Sequence, residues 1–88
     1  MAKQSDRTMS NTVDPARLAE LRARMKALDD AFQYVYRAYY GRRELGGKVP
    51  DFEALRSAAE EFVRANYDYQ KARYGRIVLK LSVSKLIR

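Results

Sequence analysis

Apolar residues recur along the first half of the chain at spacings that alternate between three and four. The series consists of Leu18, Leu21, Met25, Leu28, Phe32, Val35 and Tyr39. This heptad pattern is typical of a helix that packs along its length on another helix. Asp14 and Pro15 precede the series, and an aspartate cap followed by proline marks a helix start. Gly41 is a candidate stop. The pattern therefore predicts a helix over about residues 14–41.

A second apolar series with the same spacing follows a break in the pattern. Residues 42–50 contain two adjacent glycines and a proline, and we interpret them as a loop. Asp51 can cap the next helix, which is predicted over about residues 51–75. Its seam consists of Phe52, Leu55, Ala59, Phe62, Asn66 and Tyr69. Asn66 replaces an apolar residue, so it lies either at a solvated helix end or in the seam, where it would fix the register. The loop is too short to return the chain along a helix of ~39 Å, so the two helices must run antiparallel.

The last part of the chain changes from a helical to an alternating period. Residues 76–84 place polar side chains between the apolar Ile77, Leu79, Leu81 and Val83, and only Val78 breaks the alternation. This pattern predicts a β-strand. The alternative is a continuation of the second helix that is interrupted only at Gly75. Because a lone strand cannot satisfy its own backbone groups, we expect it to pair with a second subunit or with a partner's sheet.

These elements predict a mainly α fold, namely a small antiparallel helical hairpin with heptad seams over residues 14–75. A basic C-terminal β-strand or helical extension follows over residues 76–88, and the polar residues 1–13 are expected to form a disordered arm. A chain of 88 residues buries only a little over roughly 60% of the surface that it exposes when unfolded, so a monomer would be marginal and we expect self-association. The residues predicted for the helix seam or oligomer interface are Leu18, Leu21, Met25, Leu28, Phe32, Val35, Tyr39, Phe52, Leu55, Phe62, Tyr69, Leu79 and Leu81.

The two predicted helices share an internal similarity. A shift of 34 positions aligns seven identical residues between Leu21 and Arg42, and the alignment ends with Tyr40-Gly41-Arg42 on Tyr74-Gly75-Arg76. The similarity reflects either a duplication or ordinary capping, since a glycine after the last helical turn with a nearby cation is common.

The excess positive charge is concentrated at the C-terminal end. The chain has 18 Lys and Arg against 11 Asp and Glu, a net charge of +7. Six of these basic residues and no acidic residue fall within residues 69–88. A terminal block of one sign is typical of a surface for phosphates, anionic lipid or an acidic protein, and the alternative is a solubilising end. The predicted contacts with nucleic acid or an acidic partner are Arg42, Arg43, Lys71, Arg73, Tyr74, Arg76, Lys80, Lys85 and Arg88.

The composition argues against an enzyme. The chain has no Cys and no His, which removes the thiolate nucleophile, the usual general base near neutral pH and the commonest zinc ligands. The acidic pairs Asp29-Asp30 and Glu60-Glu61 point about 100° apart on a helix, so neither forms an acid/base couple. We expect no catalytic residue, metal, cofactor or small-molecule substrate. No apolar run approaches the ~18–20 residues of a membrane span and no signal peptide is visible, so the expected location is cytoplasmic.

The sequence leaves two functions open. The first is a small, basic, non-enzymatic protein that binds nucleic acid, in a regulatory role, through its C-terminal segment. The alternative is a protein–protein assembly module, such as a filament, virion or secretion-type subunit, or an inhibitor or adaptor of a larger complex. Seven tyrosines fit either function, because tyrosine stacks on bases and also forms hot spots between proteins.

Overall fold

The computed structural model describes residues 14–87 as a mainly helical hairpin. The arm expected over residues 1–13 and the predicted contact Arg88 lie outside the described residues. The elements, in chain order, are α1 (Pro15–Gly41), α2 (Phe52–Tyr74) and the short α3 (Val83–Leu86). Both long helices predicted from the heptad spacing are confirmed.

Each long helix begins at an aspartate cap. The Asp14 carboxylate accepts a hydrogen bond from the Ala16 N–H at 3.3 Å, and Pro15 is the first helical residue. The Asp51 carboxylate accepts from the Ala54 N–H at 2.8 Å. These bonds satisfy N–H groups that have no partner within the helix, which is why both helices start where the sequence predicts.

Both long helices end in a left-handed cap, but the cap falls at different positions of the shared Tyr-Gly-Arg sequence. The helix α2 is capped by Gly75, which has a φ of 77° and donates its N–H to the Lys71 carbonyl. In α1 the glycine is still helical, and the left-handed position falls on Arg42, with a φ of 56°. Gly41 is thus the last helical residue, and the left-handed stop is one position later. The shared Tyr-Gly-Arg sequence therefore places the left-handed residue at the glycine after α2 and at the arginine after α1.

A tight turn reverses the chain between α1 and α2. Gly46 and Gly47 have φ values of 64° and 92°, and positive φ at both central positions is what a type I′ turn requires. On either side, Leu45 and Lys48 exchange N–H···O=C bonds of 2.8 and 3.4 Å. The turn lets α2 return along α1.

The contacts between α1 and α2 run in opposite order along the two helices, so the pair is antiparallel. The Phe32 and Phe62 rings are parallel, with centroids 6.4 Å apart. Earlier on α1, Met25 Sδ accepts a hydrogen bond at 3.0 Å from the amide of Asn66, later on α2. Asn66 is half-buried and its oxygen accepts from Gln70 at 2.5 Å. It therefore lies within the seam, with partners on both helices.

The buried core lies in the half of the hairpin near the turn. It consists of Phe32 on α1, Leu55 and Ala59 on α2, and Ile87 just after α3. Partly buried side chains packed against it are Val35, Tyr36, Tyr39, Ala58, Phe62, Val83 and Leu86. The C-terminal segment therefore returns to the hairpin and completes its core.

The β-strand predicted over residues 76–84 is not found in the part of the chain that the structure describes. The backbone is irregular over residues 75–82 and then forms α3. The segment does not continue α2 either, because Gly75 leaves the helical conformation. Residues 75–87 instead run back along α2 towards the turn.

Side chains of α2 supply the hydrogen-bond partners that the backbone of the C-terminal segment would otherwise find on a neighbouring strand. The Gln70 amide oxygen accepts from the N–H groups of Val78 and Leu79, both at 2.7 Å, and its nitrogen donates to the Leu79 carbonyl at 2.7 Å. The Tyr67 hydroxyl accepts from the Leu81 N–H at 2.8 Å and donates to the Leu81 carbonyl at 2.7 Å. Backbone groups that leave water need such partners, and here the chain provides them itself.

The predicted seam residues fall into three groups by exposure. Leu21, Phe32 and Leu55 are buried, and Phe52 and Leu79 are 49% and 64% exposed. The half-buried residues are Leu18, Met25, Leu28, Val35, Tyr39, Phe62, Tyr69 and Leu81. Self-association stays a prediction.

Candidate functional site

The predicted contact residues lie at both ends of the hairpin. Lys71, Arg73 and Tyr74 are at the C-terminal end of α2 and Arg76 follows it, whereas Arg42 and Arg43 follow the C-terminal end of α1. Because the helices are antiparallel, these two groups lie far apart. Lys80 is on the irregular segment, and Lys85 is on α3, which packs back towards the turn. The structure therefore does not gather the predicted residues into one patch.

A groove between the first half of α1 and the last half of α2 holds one of these residues together with two unpredicted cations. Its volume is about 500 Å³, and its lining residues are Leu18, Ala19, Arg22, Ala23, Lys26, Tyr69 and Arg73. We call it the Arg22–Arg73 groove. Arg22 and Lys26 are one turn apart on the same face of α1. Among residues 14–87, no acidic side chain lines this groove.

The groove continues along the hairpin into a second concavity of about 370 Å³. Arg22 and Lys26 line both. The continuation is also lined by Met25, Phe62 and Asn66, and within residues 14–87 its lining has one carboxylate, that of Asp29. The positive charge is therefore concentrated in the Arg22–Arg73 groove and decreases towards the middle of the hairpin.

The basic side chains of the groove have no acidic partner among residues 14–87. Within the described range, the ion pairs are Arg17 with Glu20 and Arg56 with Glu53 and Glu60, at 3.4, 2.5 and 2.6 Å. Hydrogen bonding and charge attraction to Glu53, with a smaller contribution from Glu60, raise the pKa of Arg56. The three groove cations, Arg22, Lys26 and Arg73, are not among these ion-paired residues.

Arg73 lies among tyrosines at the end of the groove. Its guanidinium carbon is 5.4 Å from the centroid of the Tyr74 ring, a cation–π contact. Hydrogen bonding to Tyr74, followed by electrostatic interaction with Tyr69 and Tyr74, raises the pKa of Arg73. The half-buried Tyr69 ring lines the groove beside it. The site therefore combines permanent positive charge with an aromatic face.

The other tyrosine before a Gly-Arg pair has a structural partner. The Tyr40 hydroxyl donates to the carbonyl of Ile87, and the ring of Tyr40 packs edge-on against Tyr39 at 4.9 Å. Tyr40 also lines a concavity of about 300 Å³ with the predicted contact Arg42. Its hydroxyl therefore holds the end of the C-terminal segment.

Sequence reasoning missed Arg22 and Lys26, although a signal for them was present. Each follows a seam residue directly, after Leu21 and after Met25. A charged residue next to a seam position lies at the edge of the helix pair, where a groove forms. Residues 1–68 have 12 Lys and Arg against 11 Asp and Glu, and this near balance concealed the local pair.

The described residues contain no cluster of three or more His, Cys, Asp or Glu side chains that could hold a metal ion. None of the helices within residues 14–87 has the length and apolar character needed to cross a membrane. Comparison with protein-family models, curated proteins and solved structures finds no match to this chain. Its function is therefore inferred from its own geometry.

Proposed function

We propose that the protein is a non-enzymatic nucleic-acid-binding protein whose Arg22–Arg73 groove holds a single strand. One observation carries the proposal: cations from two helices line a concave site that also contains an aromatic ring and no described carboxylate. Grooves of this kind bind strands by contacting phosphates with cations and stacking bases on aromatic faces.

Each part of the groove has a role in this binding. Arg22 and Arg73 can each give two parallel hydrogen bonds to a phosphate, and Lys26 adds a compact charge. Tyr69 offers a ring face to an unpaired base. The small side chains of Ala19 and Ala23 leave room for that base at the floor. A duplex does not expose base faces, so we expect a preference for single strands.

The predicted basic residues near this end extend the positive surface. Lys71 and Arg76 are exposed, and both lie within a few residues of Arg73. Lys80 is also exposed, and it directly follows Leu79, whose backbone is hydrogen-bonded to Gln70. These side chains support the proposal as outer phosphate contacts.

The test is the salt dependence of binding to a labelled single strand of about 12 nucleotides, within the usual site sizes. Fluorescence anisotropy would compare the unaltered chain with the triple variant Arg22→Gln, Lys26→Gln, Arg73→Gln. For single strands each neutralised phosphate contributes about 0.7 to the slope of log affinity against log salt, so we expect the slope to fall by about two units. An unlabelled duplex should compete less well than an unlabelled strand.

A matched control removes the same charge elsewhere. Arg24→Gln, Lys48→Gln, Arg64→Gln changes three exposed cations outside the groove. We expect this variant to bind more tightly than the groove triple at every salt concentration. Equal losses in the two triples would contradict a localised site, and an unaltered chain that binds no strand at low salt would overturn the proposal.

A second candidate function is protein–protein assembly, which one observation favours. Tyr74, Val78 and Leu79 are 48%, 56% and 64% exposed at the same end of the hairpin, and they line a common concavity of about 220 Å³. Self-association through this patch should be lost in Val78→Ser, Leu79→Ser, as measured by light scattering at several protein concentrations. A constant monomer mass for the unaltered chain would rule it out.

A further inference from the structure

A second basic cavity lies at the opposite end of the hairpin from the Arg22–Arg73 groove. Its volume is about 220 Å³, and its lining residues are Tyr34, Arg37, Ala38, Arg43, Glu44 and Leu45. They come from the last turns of α1 and from the connection that follows. Sites that enclose a drug-sized ligand measure about 300–1,000 Å³. This cavity is therefore suited to one chemical group, with the rest of the ligand outside.

The path of the backbone brings Arg43 to this cavity. Arg42 turns the chain with its left-handed φ of 56°, and the Arg43 N–H then donates to the Ala38 carbonyl at 2.8 Å. The Arg43 side chain lies against Gly41, with Cδ 3.4 Å from the place where a Cβ would be. The stem of Arg43 is packed on the helix end, and its side chain shares the cavity with Arg37.

The charge in the cavity favours an anion of more than one negative charge. Neither Arg37 nor Arg43 forms an ion pair with another residue of the described range, and Glu44 lines the cavity without pairing to either. Two guanidinium groups can bind a phosphate with parallel hydrogen bonds. A phosphomonoester carries about −1.5 to −2 charge at pH 7, whereas a phosphodiester within a strand carries a single charge.

We infer that the Arg37–Arg43 cavity binds the terminal phosphate of a nucleotide, either at the end of a strand or on a free mononucleotide. The strand-end form rests on the proposed function. Arg37 lies about 17 Å further along α1 than Lys26 and is rotated from it by only about 20° around the helix axis. One strand can therefore reach both the Arg22–Arg73 groove and this cavity. Tyr34 is 62% exposed at the cavity and can stack on the terminal base.

The test compares strands of one sequence that carry a 5′-phosphate or a 5′-hydroxyl. We expect the phosphorylated strand to bind about tenfold more tightly, because Arg37 and Arg43 are exposed and exposed ion pairs are individually weak. Arg37→Gln and Arg43→Gln should each reduce this ratio towards one, and Glu44→Gln should increase it by removing a like charge. Arg64→Gln, an exposed cation on α2, is the control and should leave the ratio unchanged.

Free nucleotides separate the two sources of the phosphate. Adenosine 5′-monophosphate should shift the NMR signals of Arg37 and Arg43, and adenosine should not. If both strands bind equally and the monophosphate causes no shift, the inference is wrong while the groove's salt dependence still stands. If no strand binds but the monophosphate gives shifts that Arg37→Gln abolishes, the cavity is a mononucleotide site and the proposed strand binding fails. If Arg64→Gln reduces the ratio of the two strand affinities as much as Arg37→Gln and Arg43→Gln do, the inference is overturned.

Discussion

The Gln70 side chain forms a two-way hydrogen-bonded pair with the backbone of Leu79. Its amide oxygen accepts from the Leu79 N–H and its amide nitrogen donates to the Leu79 carbonyl, each at 2.7 Å. A side-chain amide carries the same donor and acceptor as a backbone peptide, so Gln70 takes the part of a residue on a neighbouring strand. Tyr67 does the same for Leu81 with a single hydroxyl. These two residues attach the C-terminal segment to α2.

Gln70→Ala should detach the middle of the C-terminal segment. The substitution removes three hydrogen bonds to Val78 and Leu79, and Gln70 is only 5% exposed. At about 1 kcal/mol for each net hydrogen bond, the free energy of unfolding should fall by about 2–3 kcal/mol. Urea denaturation measures this change. Gln33→Ala, an exposed glutamine on α1, is the control and should change the value by less than about 0.5 kcal/mol.

Ile87→Ala should destabilise the hairpin although it lies at the end of the described segment. Ile87 is 8% exposed and belongs to the core with Phe32, Leu55 and Ala59. Truncation of a buried isoleucine costs about 2–5 kcal/mol, so thermal unfolding should shift to a clearly lower temperature. Val78→Ala, at an exposed position on the same segment, should leave the unfolding temperature almost unchanged. Equal effects of the two substitutions would argue against a docked C-terminus.

Gly41→Ala and Gly75→Ala should change stability in opposite directions. Gly41 is helical, and an added Cβ would meet Arg43 Cδ at an ordinary contact distance of 3.4 Å, so alanine should stabilise by about 0.5–1 kcal/mol. Gly75 has a φ of 77°, so alanine there should destabilise by about 1 kcal/mol or more. Chemical denaturation of the two variants checks both signs. Destabilisation by Gly41→Ala would show that this glycine, not Arg42, is the left-handed residue.

Tyr40→Phe should weaken the attachment of the segment's end. The lost hydroxyl donates to the Ile87 carbonyl, and one net hydrogen bond is worth about 0.5–1.5 kcal/mol. Tyr34→Phe on the same helix is the comparison, because Tyr34 is 62% exposed and should tolerate the change. The melting temperature should therefore fall only for Tyr40→Phe. A fall of the same size in both variants would mean that the Tyr40 bond contributes nothing specific.

Heptad spacing and caps were enough to predict the hairpin. The seam from Leu18 to Tyr39, the caps at Asp14 and Asp51, and the glycine turn are local features, and each element follows from a few neighbouring residues. These are the features for which short-range physical rules are most reliable.

The C-terminal segment could not be predicted in the same way, because its partners are distant in the sequence. Alternation of apolar and polar residues indicates extended backbone, but it does not say what bonds that backbone. The partners are Gln70 and Tyr67, whose positions on α2 give no sign of this role. The Arg22–Arg73 groove could not be predicted either, because Arg22 and Arg73 are distant in the sequence and line one groove only after α1 and α2 pack together.

Amide hydrogen exchange at Val78, Leu79 and Leu81 tests the intramolecular docking most directly. Exchange is measured by NMR at two protein concentrations about tenfold apart. Each amide should show the same protection at both concentrations, because its acceptor belongs to the same chain. Protection of Val78 and Leu79 should disappear in Gln70→Ala. Exchange rates in the unaltered chain as fast as those of an unstructured peptide would contradict the docking. Protection that rises with protein concentration would also contradict it and would indicate pairing with another chain.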